Sequence, residues 1–409
     1  MGQLVVDIGG RPGLDCRGFC QYCYFKKVKD DIEPFGCRYC LPMIKGCDYC
    51  TNFVREHYSG FKDLHQVADE VLASLQMLDG DLERITISGG GDPSCYPQLR
   101  ELVELLSSMG APLHIGYTSG KGFDDPELAD FLIEHGMSEV SFTVFSSDPE
   151  LRKKYMHDPT PEASLEVFRR LCQKIDVYAA SLIIPGVNDG EDLIRTCEWI
   201  EKCGAKGVIL MRFANRTDQG LILGNAPIIP GQRVHTVREF KELVTAMNDR
   251  FTMKISGTPL WDPTIGSPFA ILNEPDLIEK LPRVEKKATV ITGSIAARYI
   301  QELLDKCGNE TWVMGTKKEI ACLITIQDLM DIDLSRVEET VIIPGRAFVH
   351  DREAEEVLSR DGIRREVIRG PETLTADAET SMGMDRNGVL GMEMEGFAHL
   401  IRAINMYGK

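Results

Sequence analysis

The chain has 409 residues, more than one hydrophobic core of roughly 250–300 residues usually holds, and its 43% apolar and 27% charged residues describe a folded protein. A formal charge of −17, with no local basic patch to offset it, repels phosphate backbones and argues against nucleic acid as a partner. The opening MGQLVVDIGG has no basic start, and no segment approaches the roughly 20 apolar residues of a bilayer crossing, so no membrane partner and a cytoplasmic location are expected.

Residues 4 to about 256 alternate short aliphatic runs with segments of helical period, the pattern of repeated βα units on a parallel sheet. LVVDIG opens the series as a strand. After a cysteine-rich insertion the pattern predicts a helix over 63–79, the strand RITISGGG, a helix near 96–109 and a strand over 112–117. It continues with a helix over 125–136, a strand over 139–145, a helical stretch near 161–175, a strand over 176–186, a helix over 189–203 and a strand over 207–213. The expected fold class is therefore α/β, with residues 1–256 forming a partial (β/α)6 barrel, short of the eight units that close a full one.

Five prolines between 257 and 287 punctuate rather than pack, which places a linker at 257–284. Beyond it, ATVITG, the helix SIAARYIQELLDKC, ETVIIPG and the helix DREAEEVLSRDG predict a smaller C-terminal α/β domain at 285–409, ending in the methionine-rich SMGMDRNGVLGMEMEGF.

Seven of the 13 cysteines fall within the first fifty residues, and in a reducing cytoplasm clustered cysteines point to metal rather than disulfides. Cys16, Cys20 and Cys23 are spaced C-x3-C-x2-C, bringing three thiolates within reach of one iron–sulfur cube and leaving one iron open to a substrate. A structural zinc would want a fourth ligand. Cys37, Cys40, Cys47 and Cys50, spaced C-x2-C-x6-C-x2-C, supply four and make a closed N-terminal metal loop at 37–50. Zinc, a single iron or a four-cysteine cluster satisfies that set equally, and its expected role is to brace the loop. The six scattered cysteines read as core packing.

The three-cysteine spacing, its place after the first strand and SGGGDP after the second resemble the radical S-adenosylmethionine (radical SAM) enzymes, over roughly residues 4–256. The resemblance implies a 4Fe-4S cluster on Cys16, Cys20 and Cys23, whose open iron chelates S-adenosylmethionine and yields a 5′-deoxyadenosyl radical. Gly89, Gly90 and Gly91 match the glycine turn that contacts the methionine amino group, with Asp92 adding a charge. Thr143 and Phe145, together with LIIPGVND, occupy positions similar to ribose and adenine contacts.

The early triad, the adjoining four-cysteine loop and a separate C-terminal α/β domain together resemble the methanogenesis marker protein 10 family, archaeal cobalamin-dependent radical SAM methyltransferases. That resemblance implies methylation of C5 of an arginine in the α subunit of methyl-coenzyme M reductase, with methylcobalamin as methyl donor and an unidentified electron donor. An sp3 carbon beside a guanidinium is closed to general-base catalysis, so radical chemistry suits it. The resemblance puts cobalamin on residues 285–409, with Leu323 as the apolar residue under the cobalt, although no D-x-H-x-x-G is present. It also implies a tyrosine able to occupy the open iron, matched by Tyr117. A substrate arginine needs a carboxylate partner, for which Asp385, Glu393 and Glu395 are the candidates.

Overall fold

A computed structural model describes residues 2–29, 36, 38, 60–78, 80–259, 261–308 and 311–409. Cys37, Cys40, Cys47 and Cys50 lie outside the described residues. The chain divides into two compact units: the described residues of 1–28, 52–213 and 228–258, and those of 29–51, 214–227 and 259–409. Among the described residues no helix is long and apolar enough to cross a membrane.

In the first unit seven strands pair in chain order: β1 Gly2–Asp7, β2 Leu82–Ser88, β3 Leu113–Thr118, β4 Met137–Thr143, β5 Asp176–Ile183, β6 Gly207–Arg212 and β7 Lys254–Thr258. Every pairing is parallel. β1 and β7 are the two edges, so the sheet is an open, partial barrel. Central strands such as β3 and β5 are buried along most of their length, as a parallel sheet covered on both faces requires.

The sequence reading of six strands is one short. β7, KISGT, is only five residues long and carries Gly257, at which a Cβ would lie 2.5 Å from Val244 of the covering helix Val237–Arg250. The glycine that weakens the strand signal is what lets the helix approach. A further helix, Pro149–Met156, follows β4, capped by Asp148 accepting from Glu150 N at 2.9 Å. Its charged run PELRKKYM hides a buried face of Arg152 and Met156.

Four parallel strands form the sheet of the second unit: β8 Ala288–Thr292, β9 Thr311–Gly315, β10 Thr340–Ile343 and β11 Glu366–Arg369, in the order β11-β10-β8-β9. Side chains alternate between its faces. Val290 and Ile342 join the helices Ser294–Cys307 and Arg386–Tyr407 in one core, whereas Ile291, Val341 and Ile343 join Leu329, Ala354 and Leu358 in the other.

Residues 259–284 do not stand as a linker. Ile265, Phe269, Ile271, Ile278 and Val284 are buried in the first of those cores with Phe397 and Ile401. Prolines there break the chain into short turns, the 3-10 turn Ala270–Asn273 and the helix Pro275–Ile278, and do not expose it. The run EIACLITI, which carries Leu323, contains the 3-10 turn Ala321–Leu323.

Candidate active site

The strands of the first sheet run parallel, so the segments that follow them emerge at one mouth, the end where barrels of this kind place chemistry. β1 leads into Gly9 and Gly10, both in the left-handed region with φ of 68° and 90°. A Cβ on Gly10 would lie 2.6 Å from Gly91 Cα, and one on Gly89 would lie 2.5 Å from Gly9 O. Gly91 N donates to Gly9 O at 3.0 Å. The glycines after β2 are thus needed, first of all, for two backbones to touch.

Asp92 follows that turn, buried at 6% exposure. Its Oδ1 accepts from Ser94 N at 2.8 Å, from Ser94 Oγ at 2.6 Å and from Thr118 Oγ1 at 2.6 Å, while Oδ2 accepts from Ser119 N at 2.6 Å. Four donors occupy this carboxylate, which ties the β2 turn to the end of β3. Its charge nevertheless reaches the cysteines, since it helps raise the Cys16 thiol.

Cys16 closes the 3-10 turn Leu14–Cys16 and takes a hydrogen bond from Gly13 N at 3.3 Å. Cys20, Tyr22 and Cys23 follow in a loop held on two sides. On one side, Gln21 N donates to Tyr155 O at 2.7 Å, Gln21 Nε2 to Lys154 O at 2.8 Å and the Cys20 thiol to Met156 O at 3.4 Å, all on the helix Pro149–Met156. Tyr22 stacks on Phe145 with centroids 5.1 Å apart. On the other side, Arg17 Nη1 reaches Lys121 O and Asp124 at 2.9 Å each, and Lys121 Nζ donates to Gly18 O at 2.5 Å.

Burial, with Asp92 adding to it, pushes the Cys16 thiol up to about 12, and burial also raises Cys20. Both therefore keep their protons unless a cation replaces them, as is usual for thiol ligands before metal binds. Among the described residues no group of three His, Cys, Asp or Glu side chains converges closely enough on one point for a single metal ion. Three cysteine ligands are the set that holds an iron–sulfur cube with one iron open, whereas a structural zinc takes four.

Beneath the loop lies a fully buried ion pair, Arg152 Nε to Asp158 Oδ2 at 2.6 Å. The same guanidinium donates to Thr143 O and Val144 O at 2.8 Å each, and to Ser119 O. It clamps the ends of β3 and β4 together. Nothing in the sequence marks Arg152 or Lys121 as buried, because most of their hydrogen bonds go to backbone carbonyls, and that reading missed both.

Thr143 and Phe145 stand at the end of β4, Phe145 with a φ of 61°. Phe145 O accepts from Ser181 Oγ at 2.8 Å and Asn188 Nδ2 at 3.1 Å, joining this point to the segment after β5. Tyr117 is half-buried near the end of β3. Cys16, Cys20, Cys23, the 89–91 turn, Asp92, Tyr117, Thr143 and Phe145 thus belong to one end of the first unit.

The remaining candidates lie in the second unit. Leu323 is half-buried, its Cδ1 2.6 Å from where a Cβ on Gly220 would sit. Asp385 is exposed and caps the helix Arg386–Tyr407 through Gly388 N at 2.7 Å, and Glu395 is exposed on that helix. Glu393 is fully buried and accepts from Phe269 N at 2.9 Å, Ala270 N at 3.2 Å, Ile271 N at 2.8 Å and the Thr375 hydroxyl. Its carboxylate is consumed by the 269–271 backbone and has nothing left for a substrate arginine, which removes Glu393 from the gripping candidates.

Residues 11–200 match the family model described as Radical SAM superfamily. No curated protein matches the chain. Solved structures similar to it include Streptococcus suis SuiB bound to S-adenosylmethionine, at 11% identity and a TM-score of 0.40, covering 67% of this chain and 52% of that one. Methylornithine synthase (PylB) matches at 14% identity and a TM-score of 0.36, covering 89% and 82%. Coproporphyrinogen III oxidase (HemN) from Escherichia coli matches at 12% identity and a TM-score of 0.41, covering 61% and 52%. The chain spans about half the length of the SuiB structures it matches.

Proposed function

We propose that the chain, whose residues 11–200 match the radical SAM superfamily model, is a cobalamin-dependent radical SAM C-methyltransferase acting on C5 of a protein arginine, that of the methyl-coenzyme M reductase α subunit. The observation that carries the radical half of this reading is the loop of Cys16, Cys20 and Cys23, clamped at the mouth of a parallel sheet. Those three cysteines would hold a 4Fe-4S cluster.

When bound, the cluster with S-adenosylmethionine supplies a hydrogen-abstracting radical, and cobalamin supplies the methyl group. The protein's part is placement and exclusion of water. Gly89 and Gly91 bring bare backbone to the mouth, and Arg152 fixes the strand ends around it. Support for the arginine and the cobalamin comes from the seven-cysteine pattern and from a separate α/β unit that carries the apolar Leu323 beside Gly220. Asp385 and Glu395 remain the proposed acidic partners, and a single iron or zinc is proposed for Cys37, Cys40, Cys47 and Cys50. An electron donor completes the requirements.

The test is anaerobic purification and reconstitution with iron, sulfide and cobalamin, followed by incubation with S-adenosylmethionine and a peptide containing one arginine. A gain of one methyl on the arginine and formation of 5′-deoxyadenosine are expected. Cys20→Ala should abolish 5′-deoxyadenosine while Cys47→Ala lowers solubility or stability. Iron uptake with 5′-deoxyadenosine but no bound corrin would leave a radical enzyme of another kind, and absence of iron would overturn the whole reading.

A further inference from the structure

Lys121 is a lysine with no exposed surface, and the reaction above has no use for it. The turn that carries it is fixed from several directions. Ser119 N is bound to Asp92 at 2.6 Å, Gly122 N donates to Ser94 Oγ at 3.0 Å, and a Cβ on Gly122 would lie 1.8 Å from Ser94 O. Arg17 holds the Lys121 carbonyl at 2.9 Å. The side chain is thus delivered into the cysteine loop and cannot swing away without dismantling the end of β3.

Inside that loop the ammonium has three donors. Among the described residues it makes one strong hydrogen bond, to Gly18 O at 2.5 Å, and one long contact, to Cys20 Sγ at 3.9 Å, and no carboxylate pairs with it. A buried ammonium without an anion is costly. A neutral Cys20 thiol leaves that cost standing, whereas a Cys20 thiolate ligated to iron removes it.

We propose that Lys121 is a fixed counter-charge of the cysteine loop, donating N–H···S to Cys20 when that sulfur is a cluster ligand and raising the potential at which the bound cluster is reduced. The proposal rests on the reading that Cys16, Cys20 and Cys23 hold an iron–sulfur cluster. The redox step is the entry of one electron from an external low-potential donor, with no bond made or broken and no proton taken up. The reduced site carries one more negative charge, so a nearby cation and a hydrogen bond to ligand sulfur stabilise it more than the oxidised one. Lys121 is a tuning residue; it touches a cluster ligand, not substrate.

Two measurements on the full-length protein, reconstituted anaerobically with iron and sulfide, test this. In a redox titration with dithionite followed by electron paramagnetic resonance, Lys121→Met should reduce the ratio of reduced to oxidised cluster at the wild-type midpoint at least tenfold, a shift of about 59 mV for one electron. Lys121→Arg, which keeps the charge, should recover half or more of that shift. An unchanged midpoint in Lys121→Met at equal iron content would overturn the proposal.

The second measurement needs no variant that folds. Wild-type protein prepared with 15N-lysine should show a lysine-nitrogen coupling to the reduced cluster by pulsed resonance, and its absence would overturn the proposal as well. If the wild-type protein takes up no iron–sulfur cluster, the reading beneath has failed instead, and iron and sulfide analysis reports that separately.

Discussion

Glu393→Ala removes the acceptor on which three successive amides and one hydroxyl converge. The partners are Phe269 N, Ala270 N and Ile271 N at 2.9, 3.2 and 2.8 Å, with the Thr375 hydroxyl beside them. Each buried donor left without a partner costs about 1–3 kcal/mol, though some of the sum is returned because the carboxylate itself is expensive to bury. The net expectation is a loss of about 3–5 kcal/mol from the second unit. For a unit of this size that corresponds to a drop of roughly 6–20 °C in its melting transition.

Burial holds the Glu393 carboxyl above its usual range. The folded unit therefore binds the proton more tightly than the unfolded chain does, so the group's contribution is full below the unfolded carboxyl's range and is lost as pH rises through the folded value. Calorimetry at several pH values, with hydrogen exchange at Phe269, Ala270 and Ile271, reads both effects. A variant that melts within about 1 kcal/mol of wild type, with those amides still protected, would refute the keystone role and return Glu393 to the substrate-binding candidates.

Two further outcomes are expected in the first unit. His114, buried and hydrogen-bonded to Thr86 at 3.2 Å, is depressed to about 3 by burial and by Arg84, so stability should fall as pH drops from about 6.5 toward 3. The loss should reach about 2–3 kcal/mol by about pH 4 and vanish in His114→Gln; an imidazole resonance titrating near its ordinary value would contradict it. Asp92→Asn sets an amide N–H₂ against donors that the carboxylate now accepts, and should cost about 2–4 kcal/mol while iron uptake per folded molecule persists. Undiminished stability with weakened S-adenosylmethionine binding would instead make Asp92 a cofactor contact.

The alternation of strands and helices was legible because β1 to β6 are aliphatic runs separated by periodic segments, and period is the strongest local signal. β7, β9 and β11 were not, since KISGT, TWVMG and EVIR are too short to show a period of two and owe their pairing to neighbours far along the chain. The proline-rich 257–284 stretch misled for a related reason. Prolines and turns stop regular structure, but Phe269 and Ile271 still bury their side chains. In the site, the cysteine triad and the glycine turn were readable from spacing, and the fold brings both to one end of the first unit. Lys121, Arg152 and Glu393 were invisible or misassigned because most of their partners are backbone groups, N–H for Glu393 and C=O for the others, which no side-chain pattern announces.

The cysteine loop has two independent sets of anchors, one on the 119–124 turn and one on the helix Pro149–Met156. Its shape is therefore set by the anchors of the folded sheet, in contrast to finger-like sites where ligand binding and folding are one event. Cofactor loss and unfolding become separable processes. On the proposed reading, a chain that had lost its cluster would keep the template on which a new one is assembled, so loss of the cofactor would call for repair rather than refolding.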